Sequence, residues 1–439
     1  MLISLLTLVT SACDLSAPLL DSAAPADATA TAERDETDAD GTEADATTSR
    51  AGGETPGADD GSADAPADAT ADADADAEAG APAPEESEDA ADQQGATTTV
   101  SSGSSDSVWI SEAEVRRLPT SGTAWAHVKR RADEATGSAD LGETNRHAAN
   151  VLARAMVGAR LDDDRYRAAV RDELMRVRDS DDRRMSILRP ARKMASYVAA
   201  ADLIDLASFD PAADRRFRDW ISGMRTRVYD GGGDPAHSLV SAHEQRPNNF
   251  GTAAGAARIA ISAYLGHDAD VERAAQVFRG WLGDRSAYSD FNFGALQWQA
   301  DRKRPVGINP AGARIMINGQ WRDVSGVLPD EQRRQGPGLT WPPKQEGYVY
   351  AGLSGAVAQA ELLTRQGYRP WSWSNNALHR AIDWLHSPIF GGGALHTATG
   401  TPNEWVVPVL NRRYGTSYPW TPGFWRGSIM SYSDWTHGT

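Results

Sequence analysis

The chain has 439 residues and a formal net charge of -17, from 61 acidic and 44 basic residues. The charge is unevenly distributed: residues 1–105 hold 24 acidic and 2 basic residues, whereas 106–439 hold 37 acidic and 42 basic ones. The single cysteine excludes an intrachain disulfide, so any folded part depends on its hydrophobic core.

The extreme N-terminus reads MLISLLTLVTSACD, an apolar run that ends in small residues before Cys13. This pattern is typical of a bacterial lipoprotein signal, except that no Lys or Arg precedes the run and Thr10 stands where Leu or Val is usual. The run is too short to span a bilayer as a permanent helix. We therefore expect residues 1–13 to be a signal, with Cys13 as a lipid anchor. The protein would then be extracytoplasmic, either anchored to the cell membrane or secreted.

Residues 14–105 are rich in Ala, Asp, Glu, Thr, Ser, Gly and Pro and contain no aromatic residue. Such a segment cannot bury enough apolar surface to offset the entropy of an unfolded chain. Its excess of acidic side chains also favours extended conformations. We predict a disordered acidic linker at 14–105.

Helical periodicity begins after residue 106, and all 14 Trp lie in this part of the chain. Apolar residues at three- and four-residue spacing predict helices near 143–157, 163–178, 191–207, 213–228, 251–265, 268–283, 346–366 and 374–386. The stretch 284–345 is irregular, with short strands predicted within 312–328, and the tail holds one short helix at 403–414. Successive amphipathic helices over 106–439 favour an all-α domain of the α/α toroid type, an incomplete barrel of helical hairpins.

The densest polar cluster runs from His243 to Thr252 and reads HEQRPNNFGT, directly before an Ala- and Gly-rich helix. One interpretation is that Asn248 or Asn249 only caps this helix, because Asn is among the best N-cap residues. The other is that the start of the helix forms a site for an anionic group. The Ala and Gly residues predict a close approach of neighbouring backbone at this point.

A second cluster, PDEQRR at 329–334, precedes Trp341, Lys344 and Tyr348, and Tyr348 lies at the start of a predicted helix. One interpretation is a solvated charged loop followed by a half-buried aromatic side chain. The other is that these charged and aromatic residues form a binding or catalytic site together with the first cluster.

The two clusters together carry a family resemblance. Asn-Asn followed by an aromatic residue, Gly and Thr resembles the Asn-Asn-His-Gly signature of alginate-lyase-type polysaccharide lyases. The later Leu-Pro-x-Glu-x-x-Arg, the Tyr348 segment, Gln359–Leu363 and Gly367–Trp371 resemble further segments of the same family. The resemblance covers roughly 190–390 in matching order. It implies an α/α toroid that cleaves a uronic-acid polymer, such as alginate or glucuronan, by β-elimination.

The resemblance also implies roles for individual residues. Asn249 matches the Asn that binds the substrate carboxylate, Arg333 matches the family's Arg, and Tyr348 matches the catalytic Tyr. These groups suit the reaction, because removal of the proton next to a carboxylate builds negative charge that must be neutralised. We expect further substrate contacts from the neighbouring polar and aromatic residues, namely Asn248, Arg246, Glu244, Lys344 and Trp341.

One position departs from the family pattern: its base His falls on Phe250, and Phe cannot accept a proton. His243, six residues before Asn249, is a candidate base. Alternatively, Tyr348 acts as both base and acid, which requires a neighbouring cation such as Arg333 to favour its ionised form. If neither acts as a base, the domain binds acidic glycans at the cell envelope without cleaving them.

No P-loop, Gly-x-Gly-x-x-Gly, His-Glu-x-x-His or Gly-x-Ser-x-Gly motif is present, so we expect no cofactor and no metal ligands. The expected partners are an acidic polysaccharide and, through Cys13, a membrane, and no nucleic acid. A glycoside hydrolase remains an alternative, because α/α barrels also support chemistry with paired carboxylates. The candidates for that chemistry are Glu244 with Asp330 or Glu331.

Overall fold

The computed structural model describes residues 107–438, except for 143–145, 181–183, 232–235, 335–338, 344–346, 391–403 and 421–427. Cys13, the predicted acidic linker and Lys344 lie outside the described residues. The described part is mainly helical and contains one short β-hairpin, which confirms the predicted all-α class.

The described helices agree with the apolar stripes predicted from the sequence, and several short helices were not predicted. They are α1 (Glu112–Val115), α2 (Gly122–Asp133), α3 (His147–Leu161), α4 (Asp164–Arg178), α5 (Leu188–Leu203), α6 (Leu206–Phe209), α7 (Pro211–Thr226), α8 (Leu239–Gln245), α9 (Asn249–Leu265), α10 (Asp268–Leu282), α11 (Pro329–Gln332), α12 (Gly347–Arg365), α13 (Trp373–Leu385), α14 (Val406–Tyr414) and α15 (Ser433–Thr436). None of these described helices is both long and apolar enough to cross a bilayer.

Helix α7 illustrates why the sequence predicts these elements well. Asp210 caps its start, where the carboxylate accepts hydrogen bonds from the backbone N–H groups of the second and third helical residues at 3.1 and 2.9 Å. Pro211 occupies the first position, where no N–H is needed. Phe217, Ile221 and Met224 then recur at three- and four-residue spacing and are fully buried. The capping residue, the proline and the buried apolar residues all lie in the helix or directly before it, so the sequence of this segment alone predicts the helix.

The predicted strands at 312–328 are confirmed as an antiparallel pair, β1 (Arg314–Ile317) and β2 (Gln320–Asp323). The connecting residues Asn318 and Gly319 have positive φ angles of 51° and 74°, which suits a tight two-residue hairpin turn. Ile315 and Ile317 are buried in a small apolar cluster that also contains Trp298 and Trp384. The hairpin therefore packs against the rest of the domain through one of its two faces.

Helix α9 lies at the centre of the main core. It packs against α5, α7, α8, α10 and α12, and nearly all of its residues are buried. Helix α3 packs against α2, α4 and α5, so helices that follow one another along the chain are also neighbours in space. Buried side chains from these helices form one continuous hydrophobic cluster.

Helices α9 and α12 approach each other closely because glycine stands at the contact. A Cβ atom at Gly355 would lie 2.4 Å from the backbone carbonyl carbon of Thr252, and one at Gly255 would lie 2.6 Å from the side chain of Gln359. The approach also allows Gln359 Nε2 to donate a hydrogen bond to the carbonyl oxygen of Thr252 at 2.9 Å. The close backbone approach predicted from the Ala- and Gly-rich sequence is thus confirmed.

The substitution Gly355→Ala tests this contact. We expect it to lower the free energy of unfolding by about 1–3 kcal/mol, because the new methyl group meets backbone that cannot move aside. Gly223→Ala in α7 is the matched control, since its nearest neighbour would be the end of the Arg227 side chain at 3.6 Å. It should stabilise by up to about 1 kcal/mol through helix propensity. Equal effects of the two changes in urea unfolding would contradict the close packing.

Candidate active site

The start of α9 is built from two neighbouring asparagines with different tasks. Asn248 caps the helix, and its Oδ1 accepts a hydrogen bond from the backbone N–H of Phe250 at 3.2 Å. Asn249 is buried, and its Oδ1 accepts a hydrogen bond from Arg334 Nη1 at 2.9 Å. The capping interpretation therefore applies to Asn248 and leaves the Asn249 side chain for another role.

Arg334 joins Asn249 to Tyr348. Its guanidinium carbon lies 3.9 Å from the centroid of the Tyr348 ring, in cation–π geometry, while Nη1 holds the amide oxygen of Asn249. Arg334 follows the short helix α11, and Tyr348 lies in the first turn of α12. Asn249, 85 residues before Arg334 in the sequence, thus meets the Tyr348 ring at one guanidinium group.

Helix α11 also brings a buried carboxyl group to this place. Glu331 is only 1% exposed, and its carboxyl group accepts a hydrogen bond from the backbone N–H of Asn249. Burial, with a smaller effect from the Asp330 charge, raises the pKa of Glu331 to about 7, although Arg334 and the Asn249 N–H act in the opposite direction. This carboxyl group therefore changes its charge near neutral pH.

The arrangement leaves hydrogen-bond donors for an anionic ligand. Arg334 holds Oδ1 of Asn249, whereas no described residue accepts a hydrogen bond from the amide nitrogen Nδ2. Side-chain amides and guanidinium groups are the usual partners of carboxylates in buried sites. A carboxylate that accepts from Nδ2 would bind the same amide that Arg334 holds, and the Tyr348 ring lies under that guanidinium.

Arg333, the arginine chosen from the sequence, faces a different environment. Its Nε and Nη2 donate to the two carboxylate oxygens of Asp330 at 2.9 and 3.3 Å. The guanidinium lies against Gly294, where a Cβ atom would come within 2.1 Å of Nη2. The carboxylate of Asp330 additionally accepts the Gly294 N–H at 3.1 Å. Arg333 therefore anchors the 284–312 segment to α11.

His243 lies in the interior, away from the start of α9. Its ring packs against Gly255, which is six residues and so about 9 Å along the helix from Asn249. Burial, together with the Arg258 charge, lowers the pKa of His243 well below its usual range. Its Nδ1 has no hydrogen-bond partner among the described residues. The ring is thus a neutral, enclosed group rather than an accessible base.

The predicted contact residues Glu244 and Arg246 are both engaged within the protein. Glu244 Oε1 accepts hydrogen bonds from Arg258 Nη1 at 3.1 Å and from Arg273 Nε at 3.2 Å. The guanidinium of Arg246 lies 5.1 Å from the ring centroid of Phe250, the residue at the expected base position. Glu244 therefore serves a salt-bridge cluster, and it is not among the groups around Arg334.

The tryptophans near the irregular segment differ in exposure. Trp341 is half-buried, with its ring 6.2 Å from that of Trp384 and under the guanidinium of Arg322 at 5.0 Å. Trp281 and Trp298 are buried. Trp321 on β2 is 58% exposed, which makes it the accessible ring of this group.

Of the candidate residues chosen from the sequence, Asn249 and Tyr348 lie together at Arg334, a residue that the sequence interpretation did not choose. The signal was present, because Leu-Pro-x-Glu-x-x-Arg, counted from Leu328, ends at Arg334 and not at Arg333. The expectation of a solvated charged loop at 329–334 is wrong, since Asp330, Glu331 and the following glutamine are buried in α11.

A scan against models of known protein families finds no match for this chain, and a search among curated proteins finds none either. Within the described ranges, no group of three or more His, Cys, Asp or Glu side chains is placed to hold a metal ion.

The raised pKa of Glu331 predicts a pH-dependent stability. In the unfolded chain this carboxyl titrates near 4.5 and in the folded protein at about 7, so its ionisation opposes folding between those values. The stability of the wild type should fall relative to Glu331→Gln as pH rises from about 4.5 to 7, by up to about 3 kcal/mol, and then stay level. Urea unfolding of both proteins at several pH values measures this difference. A difference that is constant across the range would contradict the assignment.

Proposed function

We propose that this protein is a polysaccharide lyase that cleaves a uronic-acid polymer of the alginate or glucuronan type by β-elimination. The observation that carries the proposal is the position of Arg334, which bonds to the Asn249 amide at 2.9 Å and covers the Tyr348 ring at 3.9 Å. A carboxylate neutraliser and a proton-transfer group are the two elements that this reaction requires.

In the proposed reaction, the substrate carboxylate binds beside Asn249 Nδ2 and Arg334. These donors stabilise the negative charge that develops on the carboxylate when the proton on the adjacent carbon is removed. The ionised Tyr348 oxygen, beside the positive charge of Arg334, takes that proton to become the neutral phenol, and then gives it to the leaving glycosidic oxygen as the carbon–oxygen bond breaks. A carbon–carbon double bond forms in the product, and Tyr348 returns to its starting state.

Tyr348 is a better candidate for the base than His243. The phenol ring is partly exposed at the start of α12, whereas the His243 ring is enclosed and held neutral by burial. A group that must touch the substrate needs access from solvent, which Tyr348 has. Phe250 at the family's base position does not prevent this single-residue scheme.

We further propose that the helices form an α/α toroid with α9 and α12 in its inner layer. The support is that both helices are buried along most of their length and pack against each other, while α4 and α7 bury a stripe on one side only. The starts of α9 and α12 would then lie at one end of the toroid, where a polymer can reach them.

The proposed organisation places this domain, residues 106–439, outside the cytoplasm. Residues 1–13 would form a lipoprotein signal with Cys13 as the anchor, and 14–105 an acidic spacer between membrane and domain. The spacer's excess of 22 acidic residues over basic ones repels a uronan, while the slightly basic domain does not. The substrate would therefore be held by the domain alone.

Glu331 supports a second candidate function, hydrolysis of a glycosidic bond. A buried carboxyl with a pKa of about 7 suits a general acid. Two points weigh against it: Glu331 is itself only 1% exposed, and its possible partners Asp330 and Glu244 form salt bridges to arginines. Hydrolysis would release saturated ends that reduce copper reagents without ultraviolet absorbance.

The lyase proposal is tested by incubating the full chain with alginate, glucuronan and other uronans. We expect ultraviolet absorbance from an unsaturated product with at least one polymer. New reducing ends without absorbance would indicate the hydrolase instead. Binding without either signal, from a protein whose circular dichroism shows it is folded, would overturn both.

Three substitutions then test the assignment of roles. Tyr348→Phe should lower kcat by about 10²–10⁴ because it removes the oxygen that transfers the proton while keeping the ring under Arg334. Arg334→Gln should lower kcat/KM by about 10²–10³. Arg333→Gln is the matched control with the same charge change, and it should act mainly on stability. An equal loss of activity in both arginine variants would contradict the role of Arg334.

A further inference from the structure

Four arginines, outside the candidate active site, surround a cavity that the proposed lyase reaction does not use. The cavity has a volume of about 560 Å³. Four arginines line it, Arg117 after α1, Arg365 in the last turn of α12, and Arg412 with Arg413 in the last turn of α14. Four guanidinium groups around one small cavity repel one another unless anions compensate them.

Two of the four arginines are fixed by carboxylates of the protein. Arg413 forms a two-pronged contact with Glu361, with Nη2–Oε1 at 2.5 Å and Nε–Oε2 at 2.9 Å. Arg365 Nη1 donates to Glu114 at 2.6 Å. Burial alone would raise the pKa of Glu361, but His437 and Arg413 lower it to about 2, so this carboxylate is ionised.

The other two arginines have no carboxylate partner among the described residues. Arg412 uses Nη1 to donate to the carbonyl oxygen of Thr436 at 3.1 Å, which positions the guanidinium and leaves its other N–H groups for another acceptor. Arg117 lines the same cavity, and its exposed side chain bonds to no other described residue.

The local charges leave an excess of positive charge at the cavity. Four arginines face two carboxylates, Glu114 and Glu361, and the C-terminal ends of α12 and α14 each contribute roughly half a negative charge. At least one positive charge therefore remains without compensation. Guanidinium groups with N–H donors that have no partner are the usual recognition elements for phosphate-type anions.

This cavity is separate from the candidate active site. Tyr348 lies in the first turn of α12 and Arg365 at its last residue, seventeen positions later. At 1.5 Å per residue the two sites are about 25 Å apart along the helix. A ligand in the cavity would therefore not touch Asn249 or Arg334.

We propose that this four-arginine cavity is a binding site for a phosphate-type anion, either inorganic phosphate or a phosphate monoester. Arg412 and Arg117 supply the free donors, while Arg413 and Arg365, paired with Glu361 and Glu114, form the rest of the wall. A monoester carries about −1.5 to −2 charge at pH 7, which matches or exceeds the uncompensated charge. The proposal does not depend on the lyase function, because the two sites share no residue.

The test is isothermal titration calorimetry of the full-length protein with inorganic phosphate, at constant ionic strength set with chloride. Glucose 6-phosphate in a second titration distinguishes a monoester site from one that accepts only the free ion. The double variant Arg117→Gln, Arg412→Gln should bind phosphate at least about tenfold more weakly, because two charge-assisted hydrogen bonds are lost.

Arg302→Gln with Arg304→Gln is the matched control, since these exposed arginines lie outside the cavity and the change in net charge is the same. This control should bind phosphate as the wild type does. Equal weakening in both double variants would show only a general charge effect. That outcome, or no heat of binding for the wild type with either ligand, would overturn the proposal.

Discussion

The contact between α9 and α12 is the constraint on which the candidate active site depends. Gly255 and Gly355 let the two helices approach so closely that a methyl group does not fit between them. This contact fixes the starts of both helices relative to each other, and these starts carry Asn249 and Tyr348. A larger residue at either glycine would push the two helices apart and so increase the distance between Asn249 and Tyr348.

Helix α11 completes the site by filling the space at the ends of these helices. The Glu331 carboxyl accepts the Asn249 N–H, and its side chain lies against Gly352 of α12, where a Cβ atom would come within 3.0 Å. Burying acidic groups is costly unless they are paired. Arg333 and Arg334, each three residues after its partner, provide this pairing, and Arg334 alone also reaches Asn249 and Tyr348.

The two proposed sites use arginine in different ways. At the start of α12, Arg334 works together with an amide and a phenol, which suits a carboxylate whose charge grows during a reaction. At the end of α12, Arg117 and Arg412 line a cavity beside two arginines that carboxylates of the protein hold in place. The first arrangement suits catalysis, and the second suits reversible binding of an anion.

The sequence alone determined the features that depend on near neighbours along the chain. Apolar spacing predicted the long helices, and residue preferences predicted the 312–328 strands and the capping role of one asparagine. Short motifs, through a family resemblance, made Asn249 and Tyr348 candidate site residues. The burial of His243 could not be read in this way, because it results from packing against Gly255 and Gln359, and the latter lies more than a hundred residues away.

Only the tertiary structure decided which of two adjacent arginines faces the site. Consecutive residues at the end of a helix point in directions about 100° apart, so Arg333 and Arg334 cannot both reach Asn249. The orientation of α11 about its own axis places Arg334, and not Arg333, beside Asn249. Glu331 fixes that orientation, because its carboxyl accepts the Asn249 N–H and its side chain lies against Gly352. The local motif Leu-Pro-x-Glu-x-x-Arg ends at Arg334, but the groups that fix its position lie on α9 and α12.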